Sequence, residues 1–126
     1  ILKQVLLPID EVRDYHLMSL APEVFYKFNC FSKDTYLLIA RFNMKAMSKI
    51  AIEKGWAGVS GHYFLTSNNI IKKHHLCHQV VGTGFPKSTN VLKREVGRDV
   101  DFIFTNCPVK LIKRLKMLSA TYEKAK

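Results

Sequence analysis

One short segment, IIKKHHLCHQVVGTGF, beginning at residue 70, holds three of the five histidines and one of the three cysteines. Imidazole nitrogen and thiolate sulfur are the ligands that zinc prefers. The pattern indicates a β-strand over Ile70–Val81, in which successive side chains point to opposite faces. His74 and His78 then share one face, and His75 and Cys77 share the other. Because each face carries only half of a tetrahedral ligand set, we predict no metal site. If the chain does bind a metal, His75 and Cys77 are the candidate ligands.

The same segment is also rich in groups that bind anions. Its cations and imidazoles are Lys72, Lys73, His74, His75 and His78, and a glycine loop, GTGFPKSTN, follows with Lys87. The loop offers backbone N–H groups, hydroxyls and a lysine ahead of a predicted helix, which suits a phosphate group. It matches neither GxxxxGK[ST] nor GxGxxG, so no P-loop or dinucleotide fingerprint is predicted. We expect the strand and loop from Lys72 to Lys87 to contact the phosphates or bases of a nucleic acid.

Two aspartates, Asp99 and Asp101, lie in the predicted strand RDVDFIF. One predicted helix separates this strand from the tripeptide VGT at residues 81–83. This arrangement resembles the start of the motif of the nucleotidyltransferase superfamily. In that family a glycine-containing turn and a helix precede a strand whose two aspartates bind a divalent metal. The resemblance implies that Val81, Gly82 and Thr83 form the turn and that Asp99 and Asp101 bind the metal.

An enzyme is therefore one alternative function for this chain. It would act on nucleotides or nucleic acid with a divalent metal such as Mg²⁺, and His74 and His78 would be further catalytic candidates beside the two aspartates. A metal-dependent nuclease, with Lys110 as the lysine of its site, is the related possibility. Outside this alternative, the sequence predicts no cofactor.

The charge balance is the most informative bulk property. The 126 residues include 20 Lys and Arg against 10 Asp and Glu, a formal net charge of +10, while 48% of the residues are hydrophobic. This composition is typical of a folded domain that attracts polyanions, with nucleic acid ahead of anionic membranes. An acidic protein partner, bound by a structural or assembly protein, is a further alternative. The three cysteines form no CxxC pair, which favours an intracellular location, cytoplasmic or nuclear.

The carboxyl-terminal segment, CPVKLIKRLKMLSATYEKAK, predicts the most basic helix of the chain. An apolar stripe would pack it against the domain, and its other side would present a ridge of cations to phosphates. The residues that we expect to make these contacts are Lys110, Lys113, Arg114 and Lys116. No apolar run is long enough to span a membrane.

The remaining pattern predicts one domain over residues 1–126. Two β-hairpins are expected, from Val24 to Phe42 with a turn at residues 32–34, and from His62 to Val81 with a turn at Asn68 and Asn69. A single strand follows at residues 98–104. Helices are predicted at residues 10–20, 43–55, 90–97 and 107–126. These elements together predict an α+β fold, in which three or four helices pack against a mostly antiparallel sheet of about five strands.

The leading functional prediction is a small basic protein that binds nucleic acid. Contacts would come from the basic carboxyl-terminal helix and from the strand and loop between Lys72 and Lys87. RNA is favoured slightly over DNA, because hairpins with aromatic and histidine faces suit the stacking of unpaired bases. The sequence leaves the oligomeric state open.

Overall fold

The computed structural model describes residues 2–6, 9–28 and 30–124. Five parallel strands form one sheet in which each strand pairs with the next along the chain. The strands are β1 (Leu17–Ser19), β2 (Tyr36–Ala40), β3 (Gly58–His62), β4 (Val80–Gly84) and β5 (Phe102–Phe104). The fold alternates strands and helices as Rossmann and flavodoxin folds do. Its strand order, 1-2-3-4-5, has no reversal and therefore no topological switch point.

Helices connect the strands. They are α1 (Leu2–Leu6), α2 (Pro22–Tyr26), α3 (Met44–Lys54), α4 (Asn68–Leu76), α5 (Thr89–Gly97) and α6 (Pro108–Lys124), with a short 3-10 helix at Lys33–Thr35. Parallel crossovers are almost always right-handed, so a one-way strand order puts the connecting helices on the same face of the sheet. The packing agrees, since α3 contacts β2, β3 and α4, and α5 contacts α6. Among the described residues, no helix has the length and apolarity needed to span a bilayer.

The hydrophobic core lies between the sheet and this helix layer. Tyr36, Leu38 and Ala40 point from β2 toward the helices, where Met44, Met47 and Ala51 of α3 cover them. Phe25 of α2 stacks on the ring of Tyr36, with 4.6 Å between the ring centres. Because strand side chains alternate, the other face carries Met18, Ile39, Ser60, His62 and Phe104. That face holds the site described below.

The predicted antiparallel sheet is wrong, because neither hairpin forms and all four strand pairings are parallel. The first error concerns the aromatic run after Val24. It belongs largely to α2, which begins at Pro22, a residue that favours the first turn of a helix. Buried Pro22 and Phe25 are three positions apart, so they share one helical face. Residues 10–16, where a helix was predicted, form turns and an isolated bridge instead.

The second error concerns the segment from Ile70 to Val81. It is not one strand but helix α4 followed by strand β4. The Oγ of Ser67 accepts the N–H of Ile70 and so caps the helix, where the sequence predicted a strand that continues through an Asn-Asn turn. The buried residues of α4 are Ile70, Ile71 and His74, and this spacing is helical. A helix in this position is what a parallel β3–β4 connection requires.

Several local predictions are confirmed. Helix α3 starts after Asn43 and ends at Gly55, whose φ of 62° is the left-handed conformation expected at that position. Helix α5 is capped by Ser88, whose Oγ accepts the N–H of Val91. Strand β2 and helix α6 also form where they were predicted. The last two residues of the predicted carboxyl-terminal helix, 125 and 126, lie outside the described residues.

Candidate functional site

A cleft opens on the face of the sheet opposite α3, at the edge where the strands end. In a parallel sheet all carboxyl ends meet at the same edge, so the loops that follow the strands gather around this cleft. The cleft has a volume of ≈ 700 Å³. Its floor includes Met18, Ile39, Ser60, His62 and Phe104. We call it the aromatic cleft, because of the rings that surround its mouth.

Three phenylalanines stand around this mouth, each contributed by the loop after a different strand. Phe42 is 85% exposed, Phe64 is 61% exposed and Phe85 is 45% exposed. The ring centre of His62 lies 4.4 Å from that of Phe64 and 6.4 Å from that of Phe85. A single exposed phenylalanine is ordinary, but three around one cleft form an apolar patch of the kind that binds a partner or ligand. Their flat faces suit stacking on a planar group.

Two polar atoms of residues that line the aromatic cleft have no hydrogen-bond partner among the described residues. Ser60 is 1% exposed, and its Oγ makes no hydrogen bond. The Nδ1 of His62 is likewise buried without a partner. Buried polar atoms are nearly always hydrogen-bonded, and leaving one unpaired costs stability. Both residues line the cleft, where a bound molecule or water can supply the missing partner.

A second cleft, the basic groove, adjoins the first and has a volume of ≈ 260 Å³. Its cations are Lys87, which follows β4, and Lys110 and Arg114, which lie in the first turns of α6. Nη1 of Arg114 donates a hydrogen bond of 3.2 Å to the carbonyl oxygen of Lys87, which fixes the loop against the helix. Three residues line both clefts: Phe85, Thr105 and Asn106.

Charge is distributed unevenly between the two edges of the sheet. The loops that follow β2, β3, β4 and β5 contain no Asp or Glu, and two of them contain Arg41 and Lys87. The loops that precede β1, β2 and β5 hold six of the ten acids: Asp10, Glu11, Asp14, Asp34, Asp99 and Asp101. Helices α3 to α6 begin at the carboxyl edge, and their N-termini add partial positive charge. With the four cations of the amino-edge loops counted (Arg13, Lys27, Lys33 and Arg98), the loops at the amino edge carry a small net negative charge and those at the carboxyl edge a net positive charge.

No protein-family model, curated protein or solved structure matches this chain. An apolar cleft with a few polar atoms, placed beside a cationic groove, can bind a molecule that combines a flat apolar part with a negative charge.

The structure brings together only part of the predicted nucleic-acid surface. Lys87, Lys110 and Arg114 meet in the basic groove, and Lys113 lines a shallow neighbouring depression with Lys110. Lys116 is exposed farther along α6. Lys72 and Lys73 are exposed on α4, which runs from the carboxyl edge toward the amino edge. The segment from Lys72 to Lys87 is thus not one strip, since strand β4, roughly 15 Å long, separates its two ends.

The histidines of the opening segment lie away from both clefts. His74 is fully buried between α3 and α4, where its Nε2 lies 2.8 Å from the Oγ of Ser48. His75 Nε2 lies 3.0 Å from Asp101 Oδ2, which also accepts the N–H of Val81 at 2.7 Å. His78 is exposed after the end of α4. His74 thus helps pack α3 against α4, while His75 and Asp101 join α4 to the start of β5.

The two aspartates of the proposed enzyme motif lie at the amino edge, away from the aromatic cleft. Val81, Gly82 and Thr83 belong to strand β4 rather than to a turn. Within the described ranges, no group of three or more His, Cys, Asp or Glu residues is placed to hold a metal ion. His75 and Cys77 lie two residues apart on helix α4 and its C-cap, so they point in different directions. Neither the aromatic cleft nor the basic groove around Lys87 is lined by Asp99, Asp101, His74 or His78.

Sequence reasoning missed most of the residues that form the aromatic cleft, including Arg41, Phe42, Ser60 and Phe85. Each lies in or directly after a strand of the parallel sheet. Recognising GVSGH and VVGTG as parallel strands would have revealed them, because side chains at the carboxyl ends of such strands converge. Both pentapeptides contain two glycines, which are depleted in strands, and this hides the strand pattern.

The buried His74 predicts a pH-dependent stability. Burial lowers its pKa from the usual 6.5, because the charged imidazolium is disfavoured away from water. The unfolded chain therefore binds a proton at a higher pH than the folded chain does. The contribution of His74 to stability is full above pH 6.5 and is lost as the pH falls through the folded-state pKa. We expect the urea midpoint to fall between about pH 7 and pH 5.

This pH dependence can be assigned with two variants measured by urea unfolding at several pH values. His74→Gln should be less stable at neutral pH and should lose less stability on acidification than the wild type does. His78→Gln, at an exposed position, should keep the wild-type dependence. Equal flattening of the pH profile in both variants would contradict the assignment to His74.

Proposed function

We propose that this chain is a small basic nucleic-acid-binding protein that engages unpaired nucleotides, RNA ahead of DNA, at the carboxyl edge of its sheet. One observation gives this proposal its strongest support. The aromatic cleft and the basic groove share Phe85, Thr105 and Asn106, and no carboxylate is among the described residues that line them. Bases and phosphates alternate along a single strand, so such a ligand needs both kinds of surface side by side.

The physical chemistry of each surface fits one part of a nucleotide chain. Stacking of a base on an aromatic side chain contributes about 1–3 kcal/mol and tolerates any sequence, because every base has a flat face. Lysine and arginine bind phosphates and release counterions, so affinity falls as salt rises. We propose RNA ahead of DNA as the ligand because proteins recognise RNA sequence mainly through unpaired, splayed bases. The exposed thiols of Cys77 and Cys107 support a reducing compartment, so we propose an intracellular location, cytoplasmic or nuclear.

The test is a fluorescence-anisotropy titration with labelled single-stranded and double-stranded RNA and DNA of equal length at two salt concentrations. We expect single strands to bind more tightly than duplexes, because only their bases can stack in the cleft. We also expect a strong loss of affinity at the higher salt. Absence of binding to every oligonucleotide at low salt would exclude the proposed function. Parallel samples with Mg²⁺ or a chelator test the enzyme alternative, which requires cleavage or transfer that appears only with the metal.

A second candidate function is the binding of a small anionic molecule with an apolar body. The volume of the aromatic cleft, ≈ 700 Å³, favours it, because cavities of about 300–1,000 Å³ usually hold small ligands. This candidate predicts that a mononucleotide binds as tightly as an oligonucleotide does. A structural protein that binds an acidic partner would use the basic groove alone. In that case, replacing Phe42 and Phe64 by alanine would leave partner binding unchanged.

A further inference from the structure

We infer that the aromatic cleft is a pocket for one nucleobase, whose edge bonds to Ser60 Oγ and His62 Nδ1 while the attached phosphate lies in the basic groove. This inference rests on the proposed function and names the part of the ligand that enters the cleft. The sheet register, the two buried polar atoms that have no partner among the described residues, and the cleft that their residues line support it.

The sheet register places Ser60 at the centre of the open face. Ser60 pairs with Ile39 on β2 and with Gly82 on β4, and its side chain lines the cleft. It is more than nine-tenths buried, yet its hydroxyl has no protein partner. A hydroxyl both donates and accepts hydrogen bonds, and a neutral imidazole nitrogen does one or the other. Ser60 and His62, two residues apart on β3, therefore offer a pair of polar contacts on one face, which matches the paired donors and acceptors along a base edge.

Glycine at position 84 keeps the space beside His62 open. A Cβ added to Gly84 would meet only Gly61 O at 3.5 Å and Phe104 Cβ at 3.9 Å, which are ordinary contacts. Gly82, by contrast, is covered by the ring of Phe102, so the cleft is closed toward the amino edge. The space therefore opens toward the carboxyl edge, where Phe64 and Phe85 flank it. A planar base that enters from this edge would contact both rings, and a small local movement that exposes Ser60 Oγ and His62 Nδ1 would let its edge bond to them.

Position 83 offers a matched comparison. Thr83 on β4 is also fully buried, and its Oγ1 also has no hydrogen-bond partner. Its register partner is Gly61, where an added Cβ would meet Met44 of α3, so Thr83 points toward the helix layer. Removing its hydroxyl tests the general effect of an unpaired buried oxygen. Removing the hydroxyl of Ser60 tests this general effect and, in addition, any hydrogen bond between Ser60 and the base.

The experiment measures the binding of the four nucleoside 5′-monophosphates and of ribose 5-phosphate by NMR titration. We expect at least one nucleotide to bind about tenfold more tightly than ribose 5-phosphate, which lacks a base. Ser60→Ala should reduce this ratio at least about threefold and leave the affinity for ribose 5-phosphate unchanged. It should also raise the urea midpoint of the free protein, because an unpaired hydroxyl is removed. Thr83→Val should keep the ratio of the wild type.

The outcomes separate the pocket from the proposed function. Equal affinity for all five compounds, or an unchanged ratio in Ser60→Ala, would overturn the nucleobase pocket even if oligonucleotides still bind. Failure of oligonucleotides to bind would overturn the proposed function itself. Loss of affinity for ribose 5-phosphate in Ser60→Ala would also contradict the inference, since Ser60 would then affect the phosphate contacts.

Discussion

Replacing Lys87 and Lys110 together by glutamate is expected to lower the affinity for single-stranded RNA by at least about 20-fold at roughly 0.1 M salt. Both side chains are exposed and line the basic groove from different elements, the loop after β4 and the start of α6. Each phosphate of a single strand that a cation neutralises adds about 0.7 to the slope of log affinity against log salt. The slope of the double variant should therefore be smaller by about 1.4, a change that anisotropy titrations at several salt concentrations measure directly.

The control for this variant is Lys72→Glu/Lys73→Glu. It changes the net charge by the same amount, but both lysines lie on α4, outside the two clefts. We expect only the small loss of affinity that follows from a less positive molecule, with the salt slope nearly unchanged. Equal losses of affinity in the two variants would show that net charge alone governs binding. A larger loss in the α4 variant would favour the surface around Lys72 and Lys73 that the sequence pattern predicts.

Glu95→Ala is expected to destabilise the folded protein by about 3–5 kcal/mol. Glu95 is completely buried on α5, and its Oε1 lies 2.8 Å from Nη2 of Arg94 and 3.0 Å from Nη1 of Arg98. Arg98 is itself nearly buried, and it donates a second hydrogen bond to the carbonyl oxygen of Thr66. Removal of the carboxylate leaves a buried guanidinium without its counter-charge, and this accounts for the large effect. Urea unfolding monitored by circular dichroism measures the decrease in stability.

The control for the buried cluster is Glu53→Ala on α3. Glu53 also pairs with a cation, Lys49, at 3.7 Å, but both side chains are more than half exposed. Exposed pairs of this spacing contribute about 0.3–0.5 kcal/mol, so the unfolding midpoint should barely move. If the two alanine variants were destabilised to a similar extent, the cluster that joins α5 to the loop after β3 would not stabilise the fold as described.

Local sequence signals predicted the helices that combine a regular apolar spacing with recognisable residues at their ends. Helix α3 combines a regular apolar spacing with Asn43 and Gly55 at its ends, and α5 and α6 have comparable signals. The strands were harder to predict because the central ones are short and contain glycine. At Gly58, with φ 152°, an added Cβ would lie 1.8 Å from Val80 O, so close backbone approach requires glycine there. A glycine that is required for close backbone approach has no side chain to contribute to the sequence pattern of a strand.

The site could be predicted only in part for the same reason. From net charge we predicted nucleic acid as the partner, and from the sequence we predicted phosphate contacts for Lys87, Lys110 and Arg114. Their meeting in one groove depends on the parallel strand order, which puts the loops after β4 and β5 side by side. The aromatic cleft depends on that order entirely, because Phe42, Phe64 and Phe85 are about 20 residues apart in the chain. No local pattern connects them.

Photo-cross-linking of an RNA that contains 4-thiouridine, followed by mass spectrometry of the cross-linked peptides, tests the proposed nucleic-acid site most directly. The proposed site predicts cross-links at residues 41–43, 62–64, 85–87 and 105–110, which surround the aromatic cleft and the basic groove. Cross-links concentrated at residues 72–78 or 99–101, toward the amino edge, would contradict binding at the carboxyl edge.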